Sequence, residues 1–324
     1  MTGQFGFPKY SRRFGVMAAV LGGAVLGAWP MAVLANVTPP TLLTAANYAV
    51  IGGSGITSAA GTGPGGTGTI VAGRMAIDPG TIAAVTGFPP GVSGSIDANS
   101  GSGAANAIQA QADLGAAYTE AANATPFTSL TGTDLGGLVL IPGVYNFSSG
   151  AQLTGTLTLN GEGETNPTFI FQVGSGLTTA SASSVVLING ASGCAVYWQV
   201  GSLATLGSTT SFQGNLMALS GITMDPGSTI GVGAGVNGGR ALVRTGGPVT
   251  MAGDNLVDEP PASCVFAAAT TSTPTTATPT TATPTTGAFG VTPYGLPLLD
   301  IALALFTVGV LATSSGLWLR RHRA

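Results

Sequence analysis

The chain is poor in the residues that most enzymes use for proton transfer and nucleophilic attack. It has one histidine, His322, and one lysine, Lys9, and both lie near the ends of its 324 residues. A Ser-His-Asp or Cys-His arrangement needs an imidazole beside the nucleophile, and a mixed His and Cys zinc site needs imidazole ligands. We therefore expect no catalytic site, no metal ion and no cofactor in the long middle part of the chain.

Charge is scarce as well, since charged residues make up only 6% of the chain. Between residues 36 and 319 the basic residues are Arg74, Arg240 and Arg244, against all twelve acidic residues. Nucleic-acid binding needs a basic surface, so this class of protein is excluded. Carboxylates that could form a polysaccharide-cleaving site or a calcium site stand in predicted turns or at repeat ends, where solvated carboxylates are common: Glu162, Glu164, Asp258 and Glu259.

Only two cysteines are present, Cys194 and Cys264. In an exported protein a pair is most simply one disulfide, which we predict here, with two free buried thiols as the alternative. Closing a loop of about 70 residues would stabilise the fold by roughly 4 kcal/mol in the chain-entropy model.

The two ends of the chain resemble targeting segments rather than parts of a folded domain. Residues 1–35 combine a charged start, an apolar stretch and Val33-Leu34-Ala35 before Asn36, as in a secretory signal peptide; an uncleaved anchor helix is the alternative. At the other end, residues 295–319 contain a 19-residue uncharged run from Ile301 to Leu319, roughly 28 Å long as a helix. We expect this run to cross the membrane, with a buried core helix as the alternative.

The basic tail, residues 320–324, places the C-terminus in the cytoplasm and the rest of the chain outside. Before the membrane segment, residues 267–294 contain the repeat TPTTA-TPTTA-TPTT, which forbids a packed core and predicts an extended stalk. The remaining residues, 36–266, form the predicted folded domain. The expected location is therefore the cell membrane, with a single crossing and an extracellular domain.

Within the folded domain a pattern of three short strands recurs. An apolar strand (FIFQV, VYWQV, LMAL, ALVR) is followed by a threonine strand (GLTT, LATL, GITM, PVTM) and then by a hydroxyl-rich strand (SSVVLI, TTSFQ, STIGV, DNLV). The threonines of the second strand, at positions 178, 205, 223 and 250, are 27, 18 and 27 residues apart. This recurrence predicts a mostly β protein, an irregular three-faced β-solenoid.

Two further segments complete the predicted fold. Residues 47–71 contain similar strands and predict one more portion of the solenoid, separated from the rest in sequence. Residues 104–124 are alanine-rich, include Ile108, Ala112 and Tyr118, and end before Pro126, which predicts one long α-helix. We expect this helix to pack along one face of the solenoid.

The hydroxyl-rich strands predict a flat outer surface of short side chains. With Val185, Phe212, Ile230 and Leu256 taken as inward, the preceding residues point outward, because strand side chains alternate. Such short hydroxyls and methyl groups on a stiff backbone, without charges, suit an ordered, ice-like layer of water, although strand propensity alone also favours Ser and Thr. The predicted ice-binding residues are Thr67, Thr69, Ser181, Ser184, Ser208, Thr209, Ser211, Thr229 and Asn255.

Several stretches resemble a known family, the ice-binding-like domain of secreted bacterial, fungal and algal proteins. They include NYAVIGGSGIT, DLGGLVLIPGVYNF, TGTLTLNGEG and GRALVRTGGPVTMAGDNLV, and together they cover about residues 45 to 258. The resemblance implies an irregular triangular β-solenoid with a long helix beside it and N-terminal strands that join the C-terminal rungs. It also implies binding through one flat face, often with a loose Thr-Ala/Gly-x-Thr/Asn pattern, which Thr179-Ala180-Ser181-Ala182 matches in part.

Two functions of different classes agree with these features. One is a cell-surface ice-binding protein that adsorbs to ice through the Ser/Thr-rich face. The other is a non-enzymatic surface adhesin or structural protein that keeps the fold and binds a glycan or a neighbouring cell. A stalk and a membrane anchor fit both functions, and a direct ice assay would separate them.

Overall fold

The computed structural model describes residues 37–59, 68–88, 92, 94–232, 238–244, 246–259 and 264. The predicted signal peptide, the stalk, the membrane segment and the basic tail lie outside these residues. Within the described part of the chain, no helix is both long and apolar enough to cross a membrane.

Three parallel sheets form the faces of a solenoid, and we name them by their order along each rung. Sheet A has nine strands, in spatial order Ile96–Ala98, Met75–Ile77, Val50–Gly52, Gly239–Val243, Gly214–Ala218, Val196–Val200, Phe169–Val173, Gly143–Phe147 and Thr128–Ser129. Sheet B has seven, Ala151–Leu153, Leu177–Thr179, Leu203–Leu206, Gly221–Met224, Pro248–Met251, Gly55–Ser58 and Val85–Thr86. Sheet C also has seven, Ile70–Ala72, Leu256–Asp258, Thr229–Ile230, Ser211–Phe212, Ser184–Ile188, Thr156–Asn160 and Val139–Leu140.

These sheets confirm the predicted mostly β architecture with three strands per repeat. The apolar strands form sheet A, the threonine strands form sheet B and the hydroxyl-rich strands form sheet C. Short 3₁₀ turns at Leu43–Asn47, Ile82–Ala84, Gly101–Gly103 and Gly193–Ala195 complete the secondary structure of the described residues.

Sheet A is buried on both sides, which explains its continuous apolar sequences. Its inward residues, such as Phe171 and Trp198, join the interior of the solenoid, while alternate residues such as Ile170 and Tyr197 face the helix. Sheets B and C each have one covered face, so their strands alternate between buried and accessible residues.

The α-helix spans Ala104–Ala122 and packs on sheet A through a stripe of buried residues: Ala107, Ala110, Leu114, Ala117, Tyr118 and Ala121. The predicted helix and its packing role are confirmed, but it ends two residues earlier than expected, because the chain turns before Pro126. Of the predicted apolar positions, Tyr118 is buried, whereas Ile108 is 48% exposed and Ala112 is exposed as well.

The helix explains how a discontinuous sequence makes a continuous solenoid. The N-terminal strands stack on the last C-terminal rung, with Val50 paired to Ala241, Thr57 to Thr250 and Ile70 to Leu256. The chain must then travel to the opposite end, where Thr128–Ser129 is the last strand of sheet A. Nineteen helical residues cover about 28 Å, or roughly six strand spacings of about 4.8 Å, which supplies most of this distance.

A column of aromatic rings fills part of the interior. The ring centroids of Tyr145 and Phe171 are 5.5 Å apart, those of Phe171 and Trp198 are 3.9 Å apart, and Phe212 lies 4.9 Å from Trp198. The indole nitrogen of Trp198 donates to the Gln213 carbonyl at 3.0 Å, so this fully buried ring leaves no unpaired polar atom.

The predicted disulfide between Cys194 and Cys264 is confirmed, with a Cα–Cα distance of 5.4 Å. Cys194 belongs to the turn Gly193–Ala195, at the corner that joins sheet C to sheet A. The bond therefore holds Cys264 against the corner opposite sheet B.

Candidate functional site

A straight column of threonines runs along the outer surface of sheet B. The strand register places Thr178, Thr205, Thr223 and Thr250 side by side, and Thr57 and Thr86 of the N-terminal strands extend the same column. We call these six residues the threonine column. They are accessible, whereas the residues on either side of the four central threonines along the strand, such as Ile222 and Met224 around Thr223, are buried.

The backbones of the threonine column are paired within sheet B, but the side-chain hydroxyls of its six members make no hydrogen bond to another described residue. Each side chain presents one hydroxyl and one methyl group, and parallel pairing repeats them at about 4.8 Å. The column is therefore a regular array of small side chains that are accessible to water.

The outward positions that flank the column are also mostly small and uncharged. Two residues before the threonines, on the same face of sheet B, the pairing places another set in register: Gly176, Leu203, Gly221, Pro248 and Gly55. Two residues after the four central threonines stand Ala180, Gly207, Asp225 and Ala252. Among the described residues, Asp225 is the charged residue of these two flanking columns.

An acidic residue ends the column at one end of the solenoid. Gln152 pairs with Thr178, and Asp134 pairs with Gln152 in turn. The Asp134 carboxylate accepts from the backbone N–H groups of Gly136 at 2.7 Å and Thr154 at 2.9 Å. Burial raises the pKa of Asp134, but the hydrogen bonds from Gly136 and Thr154 outweigh it, so the net pKa is lowered and the group stays ionised at neutral pH.

The other charged clusters lie away from sheet B. Arg74 forms an ion pair with Asp97 and its guanidinium carbon stands 4.8 Å from the centroid of the Tyr48 ring. Tyr48 donates to Asp97 at 2.6 Å, and burial together with this bond raises the pKa of Tyr48 to about 12. Arg240 is buried beside Asn215, and burial lowers its pKa to about 10, so it remains a cation at neutral pH.

The residues predicted to bind ice lie on sheet C and at the corner between sheets B and C. Ser184, Ser211 and Thr229 are outward and in register, as expected. Their column continues to Thr156 at one end, where the hydroxyls of Thr156 and Ser184 bond each other at 2.9 Å. At the other end it continues to Leu256 and Ile70, which are aliphatic.

Two of the predicted residues are not on the surface. Asn255 is 1% exposed and Thr69 is 2% exposed, so their predicted outward orientation is wrong. The error is one of register: Val257, not Leu256, pairs with Ile230 and points inward. The physical reason is that the corner between sheets B and C has four residues on four consecutive rungs, and Asn255 occupies the last, inward-pointing position of the fourth.

Of the remaining predicted residues, three lie at the corner between sheets B and C and one lies outside the described residues. Ser181 and Thr209 are exposed at the corner, and Ser208 is partly exposed beside them. Thr67 lies outside the described residues. The carboxylates Glu162, Glu164 and Asp258 are exposed, and among the described residues no group of three or more potential metal ligands comes together.

The sequence contained the signal for the threonine column but did not show its orientation. Its four central threonines recur in similar motifs, GLTT, LATL, GITM and PVTM, and Thr57 is preceded by the similar motif Gly55-Ile56. Thr86 carries no local signal, since only the pairing of Thr57 with Thr86 brings it into the column.

The fold defines a class, the discontinuous three-faced β-solenoid with one helix along its first sheet. The family model described as ice-binding-like matches residues 50–257, and the chain belongs to this family. An ice-binding protein from Nostoc sp. (strain HG1) is 46% identical over 209 residues, which cover 64% of this chain and 70% of that protein.

Solved structures agree with this assignment. The crystal structure of an ice-binding protein from an Antarctic biological consortium is similar with a TM-score of 0.59 at 37% identity, over 68% of this chain and 90% of that one. The ice-binding protein of the Antarctic ascomycete Antarctomyces psychrotrophicus is similar with a TM-score of 0.60 at 31% identity, over 69% of this chain and 100% of that one.

Proposed function

We propose that this protein is a non-enzymatic ice-binding protein that adsorbs to ice through the threonine column of sheet B. The observation that carries the proposal is the register of six solvent-directed threonines on one flat, nearly uncharged sheet. Family membership and the names of its relatives support the ligand. Ordered water on the hydroxyl and methyl groups would join the ice lattice, whereas charged groups would hold water in competing orientations.

Sheet B fits this role better than sheet C, on which the sequence places the site. The sheet C column changes from hydroxyls to Leu256 and Ile70, and Ile70 is 40% exposed. Its hydroxyls are also partly engaged, since Thr229 donates to the Thr210 carbonyl at 3.5 Å. The threonine column keeps one residue type over six strands.

A matched pair of substitutions on one rung tests the proposal. Thr223→Tyr inserts a bulky step into the threonine column, and Thr229→Tyr makes the same change on sheet C; both threonines are partly exposed. Changes at such positions usually alter stability by no more than about 0.5 kcal/mol, so a loss of activity would not reflect unfolding. We expect Thr223→Tyr to lose thermal hysteresis and ice-affinity partition, and Thr229→Tyr to keep both.

Each alternative outcome of this experiment has a meaning. If Thr229→Tyr loses ice activity and Thr223→Tyr retains it, the ice-binding site would be assigned to Ser184, Ser211 and Thr229 on sheet C. If the unmodified protein neither shapes ice crystals nor partitions into ice, the proposal fails and the adhesin alternative, with a glycan or a neighbouring cell as partner, takes its place.

We also propose that the domain is exported and held at the cell membrane by residues 295–319, with residues 267–294 as a stalk. The signal-like start, the uncharged run and the arginines after it support this topology. Protease added to intact cells should release a fragment that ends within the stalk. Protection of the domain in intact cells, followed by cleavage after lysis, would show that the topology is wrong.

A further inference from the structure

Behind the surface of sheet B lies a second column, made of buried polar side chains. It occupies the last position of five of the corners between sheets B and C, and its members are between 0% and 2% exposed. We call these residues the corner ladder: Thr69, Ser183, Thr210, Ser228 and Asn255.

The corner repeats its backbone conformation from rung to rung, which keeps the ladder in line. The residue before each member has a positive φ, as at Ala182 (57°), Thr209 (58°), Gly227 (71°) and Asp254 (53°). Three of these four residues are not glycine, and a positive φ is uncommon for such residues. The same turn therefore recurs although its sequence varies, and the side chain after it always points inward.

On the first rungs, each ladder side chain bonds the backbone of the preceding rung. The Ser183 hydroxyl donates to the Leu153 carbonyl at 3.0 Å and accepts from the Gly155 N–H at 3.2 Å. The Thr210 hydroxyl lies 3.2 Å from the Ala180 carbonyl and 2.8 Å from the Thr179 hydroxyl.

On the later rungs Asn255 makes the same connection with more bonds. Its amide nitrogen donates to the Asp225 carbonyl at 2.7 Å and to the Ser228 hydroxyl at 3.0 Å. Its amide oxygen accepts from the Gly253 N–H at 3.0 Å, and the Thr69 hydroxyl donates to the same oxygen at 3.4 Å. The ladder thus joins the N-terminal rung to the C-terminal one.

The bonded carbonyls stand at the ends of the sheet B strands. Leu153 directly follows Gln152, Ala180 stands two residues after Thr178, and Asp225 stands two residues after Thr223. Each of these carbonyls also accepts from a backbone N–H group, of Ala180, Ser183 and Ser228 in turn. An apolar replacement at Thr210 would therefore remove one of two donors from the Ala180 carbonyl and would also remove the hydroxyl partner of the buried Thr179. The strand end would have to shift to pair these groups again. A shift there would move the neighbouring threonine out of line.

We propose that the corner ladder positions the threonine column, so that its members are positioning residues for ice binding rather than contacts with ice. The effect on ice binding rests on the proposed function, whereas the alignment of the threonines rests on the hydrogen bonds of the ladder. It also gives a role to Thr69 and Asn255, which are buried and cannot contact a flat surface.

The test uses an isosteric change with a rescue and a matched control, all in the full chain purified in mild detergent. Thr210→Val keeps the shape and removes the hydroxyl, and Thr210→Ser restores it. Thr168→Val makes the same change at another buried threonine, 2% exposed, whose hydroxyl donates to the Asn166 carbonyl at 3.3 Å at the corner between sheets C and A. Circular dichroism near 0 °C establishes that all variants are folded.

We expect Thr210→Val to lower thermal hysteresis on the order of threefold, because a loosened supporting layer degrades a site whose geometry must match its ligand. The thermal hysteresis of Thr210→Ser and of Thr168→Val should stay close to that of the unmodified protein. Hydrogen exchange should quicken at the amides of Leu203–Leu206 and Leu177–Thr179 in Thr210→Val alone.

Three results would overturn the positioning role. These are unchanged ice activity in Thr210→Val, an equal loss in Thr210→Val and Thr168→Val, or unchanged exchange in sheet B. The exchange measurement does not depend on ice. An unmodified protein without ice activity would therefore reject the proposed function, while the exchange pattern would still decide whether the ladder holds the threonine column.

Discussion

At the scale of single residues, long polar side chains connect the helix to sheet A. The amide nitrogen of Gln172 donates to the carbonyls of Ala121 and Ala124 at 2.9 Å and of Ala122 at 3.2 Å, at and just beyond the C-terminal end of the helix. The amide nitrogen of Gln111, on the helix, lies 3.0 Å from the Val243 carbonyl in sheet A. These amide nitrogens pair with backbone carbonyls across the interface between the helix and sheet A.

Asp113 makes a similar connection with a charged group. Its carboxylate accepts from the backbone N–H of Thr44 at 3.0 Å, from the Thr44 hydroxyl, and from the Gln109 amide at 2.8 Å. Burial acts to raise the pKa of Asp113, but these hydrogen bonds outweigh it, and the net pKa lies below the usual 3.8. The bonds therefore hold the turn Leu43–Asn47 against the helix.

This lowered pKa predicts a pH dependence of folding. A carboxyl group whose pKa is lower in the folded state stabilises the fold above its unfolded value of 3.8, and this contribution disappears as the pH falls below that value towards the folded pKa. Asp113→Asn should be less stable than the unmodified protein at pH 7 and should lose less stability between pH 7 and pH 3, measured by urea denaturation. Glu164→Gln, at an exposed carboxylate, is the control; parallel losses in Asp113→Asn and the unmodified protein would contradict the prediction.

At the scale of elements, the sequence predicted the helix and the strand types well because their patterns are local. Sheet A strands are apolar throughout since both faces of the sheet are covered. The alanine-rich helix packs closely on the outer face because its buried side chains are mostly small. The predicted helix residue Ile108 shows the limit of this reasoning, because in an alanine-rich helix the buried stripe is decided by which face meets the sheet. Ala107, Ala110 and Leu114 are buried, and Ile108 is left accessible.

Strand register was predicted on the middle rungs and missed on the last. The first hydroxyl-rich strands have their hydrophobic residue at a constant distance from the corner, as in Val185 and Phe212. The strand Asn255-Leu256-Val257 has two adjacent hydrophobic residues, and a slip of one residue exchanges inside for outside. The buried amide of Asn255, with bonds to the neighbouring rung, selects Val257 as the inward residue.

At the scale of the whole molecule, the disulfide and the threonine column lie on opposite sides of the solenoid. Cys194 stands at the corner between sheets C and A, so Cys264 is held where it cannot cover sheet B. Because the loop between the cysteines spans 70 residues and contains most of the later rungs, the bond restricts the unfolded chain strongly.

We predict that the double change Cys194→Ser and Cys264→Ser lowers the free energy of unfolding by roughly 2–4 kcal/mol, because the unfolded chain regains the entropy of the open loop. Chemical denaturation measures the loss, and the unmodified protein under reducing conditions is the matched control. Thermal hysteresis at 0 °C should be retained by the folded double variant, since sheet B is remote from the bond. A stability equal to that of the oxidised protein would show that the disulfide contributes nothing to the fold.

The sequence by itself determined the class of fold, the helix and the candidate disulfide. Each of these depends on composition or on short local patterns, such as the alternation in LATL and GITM. Even the array of threonines was visible as a repeat, because the strands that carry it have similar short motifs although their spacing varies from 18 to 27 residues.

Only the tertiary structure decided which surface is flat, uncharged and continuous. Thr57 and Thr86 join Thr250 across more than 160 residues of sequence, and this pairing depends on the helix that carries the chain from one end of the solenoid to the other. The inward direction of Thr69 and Asn255 depends equally on contacts between rungs. A sequence records neither of these, because parallel pairing between distant strands is set by the packing of the whole solenoid, and no local pattern reports which rung will be the neighbour.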